Sequence, residues 1–232
     1  MRFLPTVRAF VLCIGAVSCS SSGSRQSPPA TLAPAPDSSR FEPELRAFEQ
    51  SDRSTPPATG GVLFVGSSTF RLWPHLAADF PGVPVLNRGF GGSTLPEVVA
   101  AVPRIVIPYR PRLILLYAGD NDLAAGRTPE NVVADYRRFV SVVRQSLPAA
   151  RIAFVSIKPS PSRWALVERM REANRLVRDA MARDSLAVFV DMFPPMLGAD
   201  GRPRPEFFRA DSLHMTPAGY ALWRERLTPI VH

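Results

Sequence analysis

Four short stretches of this chain carry the side chains that acyl-transfer chemistry requires. In order they are FVGSST at residues 64–69, NRGFGGST at 87–94, AGDND at 118–122 and DSLH at 211–214. They supply serine hydroxyls, a glycine-rich turn whose backbone amides can point at a ligand, a side-chain amide, and a carboxylate three residues before an imidazole. A hydroxyl nucleophile, a base with its orienting carboxylate, and donors for a developing oxyanion are the parts from which such a reaction is built.

Each stretch alone also fits an ordinary structural role. Gly66-Ser67-Ser68-Thr69 reads as a strand-to-helix turn with a cap, or as a turn presenting one serine at a sheet edge. It is not the Gly-x-Ser-x-Gly elbow, because position 70 is Phe. Gly89-Phe90-Gly91-Gly92 lacks the Gly-x-Gly-x-x-Gly spacing of a dinucleotide loop, yet its glycines allow close backbone approach. Asn121 is either an Asx turn residue or an amide donor, a role its neighbours Asp120 and Asp122 cannot fill for an anion. Asp211 and His214 form the most specific pair: the carboxylate can accept from Nδ1–H and leave Nε2 free as a base.

These side chains need a scaffold, and the hydrophobic pattern describes one. Continuous apolar runs of strand length occur at 62–65, 83–86, 113–117, 152–157 and 187–190. Helical patterns fall between or after them at 72–79, 96–107, 129–145, 165–182 and 217–227. Unbroken apolar strands alternating with helices predict a parallel sheet covered on both faces, an α/β sandwich. Ligands bind such sheets beyond the carboxyl ends of the strands. The first three stretches follow strands one, two and three, and the fourth opens the last helix, so all four are expected on one rim. On the same rim, Lys158, Arg163 and Trp164 read either as candidates to meet a polar or sugar-like substrate or as a solvated loop, and Trp73, Phe90, Phe207 and Phe208 are candidate pocket walls with core packing as the default. His75 and His232 read as surface histidines, and Asp191 as a structural hydrogen-bonding group.

The 232 residues have room for one well-filled domain plus appendages. The net charge of +8 is carried almost wholly by arginine, without a dense basic run, which argues against nucleic-acid binding. Both cysteines, Cys13 and Cys19, lie near the start, and there are three histidines; neither a disulfide, a thiol nucleophile nor a His-based metal centre is expected in the folded part. Residues 1–18 read as an export signal: Arg2 and Arg8 precede an apolar stretch too short to span a bilayer. Ala16-Val17-Ser18-Cys19 resembles a bacterial lipobox, which would lipidate Cys19 and tether the protein to a membrane, with plain secretion as the alternative. Residues 19–40, rich in Ser, Pro and Ala, are expected to be a flexible linker, and 41–232 the domain, beginning with a short surface helix over 41–51.

Taken together, the four stretches resemble the motifs of the SGNH hydrolases, the GDSL esterase/lipase superfamily, over roughly residues 61–227. The resemblance implies a three-layer α/β/α sandwich with five parallel strands in flavodoxin-like order. It places the nucleophile at Ser68, with Ser67 where the family has Asp, and the triad partners at Asp211 and His214. It assigns the oxyanion hole to the amides of Ser68 and Gly92 and the side chain of Asn121. It implies a serine esterase working through an acyl-enzyme, with no metal or cofactor, on a small ester or an acylated glycan. Lipid or lysophospholipid esters, transfer to an acceptor alcohol, and a non-catalytic binding protein on the same scaffold are the alternatives.

Overall fold

The computed structural model describes residue 1 and residues 38–232; the expected export signal, Cys19 and most of the expected linker lie outside the described residues. Five strands form one sheet: β1 (Val62–Gly66), β2 (Val85–Gly89), β3 (Leu113–Tyr117), β4 (Arg151–Val155) and β5 (Ala187–Val190). All pair in parallel, in the order β2-β1-β3-β4-β5. This is the doubly wound arrangement in which the chain runs outward from β1 to β2 and then crosses back to β3. The carboxyl ends of β1 and β3 therefore flank the topological switch point.

The helices, in chain order, are α1 (Glu42–Ser54), α2 (Ser68–Arg71), α3 (Leu76–Asp79), α4 (Leu95–Ile105), α5 (Asp120–Ala124), α6 (Pro129–Ser146), α7 (Val167–Met181) and α8 (Pro217–Val231). Alternation along the strands divides the core in two. Leu63 and Val65 of β1, Ile114 and Leu116 of β3, and Ile152 and Phe154 of β4 face α4, α6 and α7. Val62, Phe64, Leu113, Leu115 and Tyr117 face the opposite layer, where Phe70, Trp73 and Trp223 make edge-to-face contacts and Phe80 and Tyr220 lie tilted against Trp73. Truncating a fully buried aromatic such as Phe64 would cost about 3–5 kcal/mol.

Several boundaries differ from the sequence expectation, each for a physical reason. Of the expected helix 72–79 only Leu76–Asp79, α3, is helical; α2 ends before it at Arg71, with Pro74 between the two, and proline has no N–H to continue the first. The second strand lies two to three residues later than the apolar run. Its polar residues are satisfied at the sheet edge: Asn87 Nδ2 donates to the Phe70 carbonyl, while Arg88 pairs with Asp52 and donates to Tyr109 Oη. The fourth strand stops at Val155, because Asn174 of α7 takes over the backbone of Ile157, accepting from its N–H and donating to its carbonyl. Folded structure also begins before Phe41. Residues Ser38–Phe41 form a 3-10 turn, and Arg40 makes a two-armed ion pair with Glu97, the acidic member of the α4 capping box.

Candidate active site

The first motif turns sharply off β1. Gly66 has φ +136°, and a Cβ there would sit 1.9 Å from the Tyr117 carbonyl oxygen of β3, so only glycine lets the chain leave the strand here. Ser67 stands at the N-cap position of α2 without a side-chain cap bond, and Ser68 is the helix's first residue. The two serines point differently. Ser67 is fully buried, and its hydroxyl has no partner among the described residues, whereas Ser68 is partly exposed. Only Ser68 offers its Oγ at the rim, and its N–H, at the first position of the helix, has no acceptor within the helix.

The last motif supplies the imidazole. His214 Nε2 lies 3.0 Å from Ser68 Oγ, and His214 Nδ1 lies 2.7 Å from Asp211 Oδ2. A carboxylate only accepts, so the proton belongs on Nδ1 and the Nε2 lone pair faces the serine hydroxyl. Asp211 Oδ1 accepts the backbone N–H groups of Leu213 and His214, each at 2.9 Å, which closes the loop around the ring. Those hydrogen bonds, the imidazole's first, hold the Asp211 carboxyl at about 2, below its ordinary 3.8. Ser212 adopts a left-handed φ of +56° in the same turn, and Thr216 caps α8 directly behind it.

The second motif is tied to the first, and the third to the second. The N–H of Phe90 donates to the Gly66 carbonyl at 2.8 Å, seating the glycine turn against the first motif. Gly92 is exposed with φ +73°. Asn121 Nδ2 donates to the Ser93 carbonyl at 3.0 Å, and Asp122 accepts the Leu95 N–H with both oxygens at 3.1 Å. Two consecutive residues after β3 therefore fasten the glycine loop after β2. Asp122 is fully buried, and desolvation raises its pKa from 3.8 to about 7 against the opposing pull of the Leu95 N–H and Arg127.

The structure thus joins Asp211, His214 and Ser68 in one relay and ties Asn121 to the glycine loop at Ser93, next to Gly92. Other expectations are corrected. Trp73 is 3% exposed, packed on Tyr220 and Phe64 with its Nε1 donating to Asp79, and is core rather than pocket wall. Phe90 is likewise core, edge-on to Phe41 at 4.8 Å. Phe207 and Phe208 are buried beneath α8's layer. Lys158 is 1% exposed, so it lies under the rim beside Asp120 and Tyr117 and does not meet solvent. Trp164 stays partly exposed, with the Arg202 guanidinium 5.1 Å over its ring. Sequence reasoning missed Asp122, whose tie to Leu95 has no local signal beyond its place next to Asn121. Among the described residues, no three of His, Cys, Asp and Glu converge as metal ligands.

Comparison with known proteins agrees with this architecture. The GDSL-like lipase/acylhydrolase family matches residues 58–222, and the chain belongs to that family of carboxylic ester hydrolases. It is 29% identical over 167 residues to the platelet-activating factor acetylhydrolase IB subunit alpha1 of Bos taurus, covering 68% of this chain and 69% of that one. An arylesterase of Vibrio mimicus is 25% identical over 97 residues, 40% of this chain and 48% of that protein. In fold, a GDSL-like lipase of Bacteroides thetaiotaomicron superposes with a TM-score of 0.64 at 20% identity, covering 84% of this chain and 97% of the other.

Proposed function

We propose that this hydrolase is a serine esterase in which Ser68 is the nucleophile, His214 the general base and acid, and Asp211 the group that orients the imidazole. The observation that carries the reading is the continuous relay from Asp211 Oδ2 to His214 and on to Ser68 Oγ, at 2.7 and 3.0 Å. His214 Nε2 takes the Ser68 proton as Oγ attacks the ester carbonyl carbon. The tetrahedral oxyanion is held by the N–H groups of Ser68 and Gly92 and by Asn121 Nδ2. Collapse of the intermediate expels the alcohol, which receives the proton from His214. Water then adds to the acyl-enzyme with His214 again as base, releasing the acid and restoring Ser68.

For the substrate, we read a short acyl group, acetyl in the first instance. The curated relatives that match most of the domain are named as acetylhydrolases, which supports a small acyl site. The alcohol carrying that acyl group has two readings. An acetylated glycan suits an exported protein of the envelope. A lipid-like ester is favoured by the platelet-activating factor specificity in the relatives' name. We further read residues 1–18 as an export signal and Cys19 as a lipidated anchor. Labelling cells with a radioactive fatty acid would show a labelled wild type and an unlabelled Cys19→Ala variant; label in neither removes the anchor.

The discriminating assay is hydrolysis of p-nitrophenyl acetate. Wild type should turn over, Ser68→Ala should be inactive, and Ser67→Ala should keep most of its rate. Activity surviving in Ser68→Ala contradicts the assignment. A series of p-nitrophenyl esters of rising chain length, run beside acetylated xylan, peptidoglycan and an acetylated phospholipid, separates the substrate readings.

A further inference from the structure

One cluster beside the site is larger than the triad and its oxyanion donors require. Asp120, at the start of α5, is 4% exposed and lies between two cations. Arg163 Nη1 is 3.0 Å from its Oδ2, an ion pair without hydrogen-bond geometry, and Lys158 Nζ, the chain's one lysine, is 3.7 Å from the same oxygen. Its other oxygen accepts the Asn121 backbone N–H at 2.9 Å. The second arm of Arg163 continues past Asp120: Nη2 donates to Asn121 Oδ1 at 2.7 Å. Arg163 sits on the 3-10 segment Pro161–Leu166, whose Ser162 N–H donates to the Ser212 carbonyl in the histidine loop at 3.0 Å.

This arrangement fixes which way the Asn121 amide faces. A guanidinium has only donors, so the group facing Arg163 is the amide oxygen. The Ser93 carbonyl only accepts, so the group facing it is the NH₂. With one N–H spent on Ser93, the second remains for an incoming oxyanion. A turned amide would present its oxygen to that anion and repel it. A cationic donor on Oδ1 also draws electron density from the amide and strengthens its N–H as a donor. The planar group matters, because one guanidinium must lie against the Asp120 carboxylate while its other arm donates to Asn121.

We propose that Arg163, braced on Asp120, is a positioning residue that holds the Asn121 amide in its oxyanion-donating orientation. The proposal rests on the reading of Asn121 as a donor given above. It assigns to Arg163 a role through Asn121 in place of the substrate contact its rim position suggests.

The test is a double-mutant cycle on the full chain, read by p-nitrophenyl acetate hydrolysis with thermal melts as the folding control. Because the interaction acts on the transition state, Arg163→Ala should lower kcat with KM little changed. The fall should be about 10- to 100-fold, somewhat less than deleting an oxyanion donor outright. Arg163→Lys should lie between wild type and Arg163→Ala, since an ammonium can donate to Oδ1 but cannot span both partners. On an Asn121→Ala background, Arg163→Ala and Arg163→Lys should each cost nothing further. If the alanine variant fails to fold, the lysine variant carries the same cycle alone. A wild-type kcat in Arg163→Ala or, failing that variant, in Arg163→Lys overturns the proposal, as does a penalty that persists in full without Asn121. A wild type that hydrolyses no ester would overturn the esterase reading instead.

Discussion

His214 Nε2 stands 3.0 Å from Ser68 Oγ although 146 positions separate the two residues. The parallel sheet closes that distance. Ser68 leaves the end of β1, beside the central strand β3, and the histidine loop lies between β5 and α8 in the chain.

Asp211→Asn tests the tautomer argument. The asparagine oxygen would keep the Leu213 and His214 backbone N–H groups and turn its NH₂ to Nδ1, forcing the ring proton onto Nε2. A comparable change in a serine protease costs about 10⁴-fold. Asp211 is 47% exposed at its side chain, so water can partly substitute, and the expected loss in kcat is about 10²–10⁴-fold. The carboxyl is held at about 2, so its ionised, orienting form persists through mildly acidic conditions and is lost only as pH falls from about 4 towards 2. Steady-state kinetics of the variant check this, and an unchanged kcat contradicts it.

Asn121→Ala removes one oxyanion donor. The expected fall in kcat is about 10²–10³-fold with KM little changed. A rise in KM alone would mean that Asn121 binds the ground state equally well.

Asp122 gives the fold a pH dependence of its own. Its carboxyl, raised to about 7 by burial, keeps a proton in the folded chain between about pH 4 and 7, where the unfolded chain has released it. The folded state binds more protons there, so stability falls as pH rises through that window. Asp122→Asn keeps an acceptor for the Leu95 N–H and cannot ionise. The Tm difference between variant and wild type should therefore grow in the variant's favour from pH 4 to pH 8; a constant difference contradicts the argument.

Gly66→Ala forces a Cβ to 1.9 Å from the Tyr117 carbonyl at a φ of +136°. Relief requires parting β1 from β3 at the switch point, and the expected loss exceeds about 3 kcal/mol. Denaturant unfolding measures it, and a Gly66→Ala chain of wild-type stability would mean that the turn relaxes without strain.

The sequence pattern and the structure agree most closely where the physics is local or periodic. Unbroken apolar runs announced the strands, and Asp211 and His214 lie three apart in one turn, so their pairing needs no tertiary knowledge. What was illegible depends on where side chains point. Trp73 and Phe90 follow rim motifs as a pocket wall would, but each turns into the core, Trp73 onto Tyr220 and Phe90 onto Phe41. Lys158 and Arg163 share one tract, yet Lys158 is sealed under the rim while Arg163 reaches Asn121. Ser67 and Ser68 were separated by family resemblance and not by chemistry; burial of Ser67 now gives a physical reason to prefer its neighbour.

The central claim is that Ser68 Oγ is the attacking atom. Reaction with a fluorophosphonate ester, followed by peptide mass mapping, tests it most directly. One phosphonyl group per chain on Ser68, formed in step with loss of esterase activity and absent from Ser68→Ala, is the predicted result. Full inactivation with the label on any other residue, Ser67 included, would contradict it.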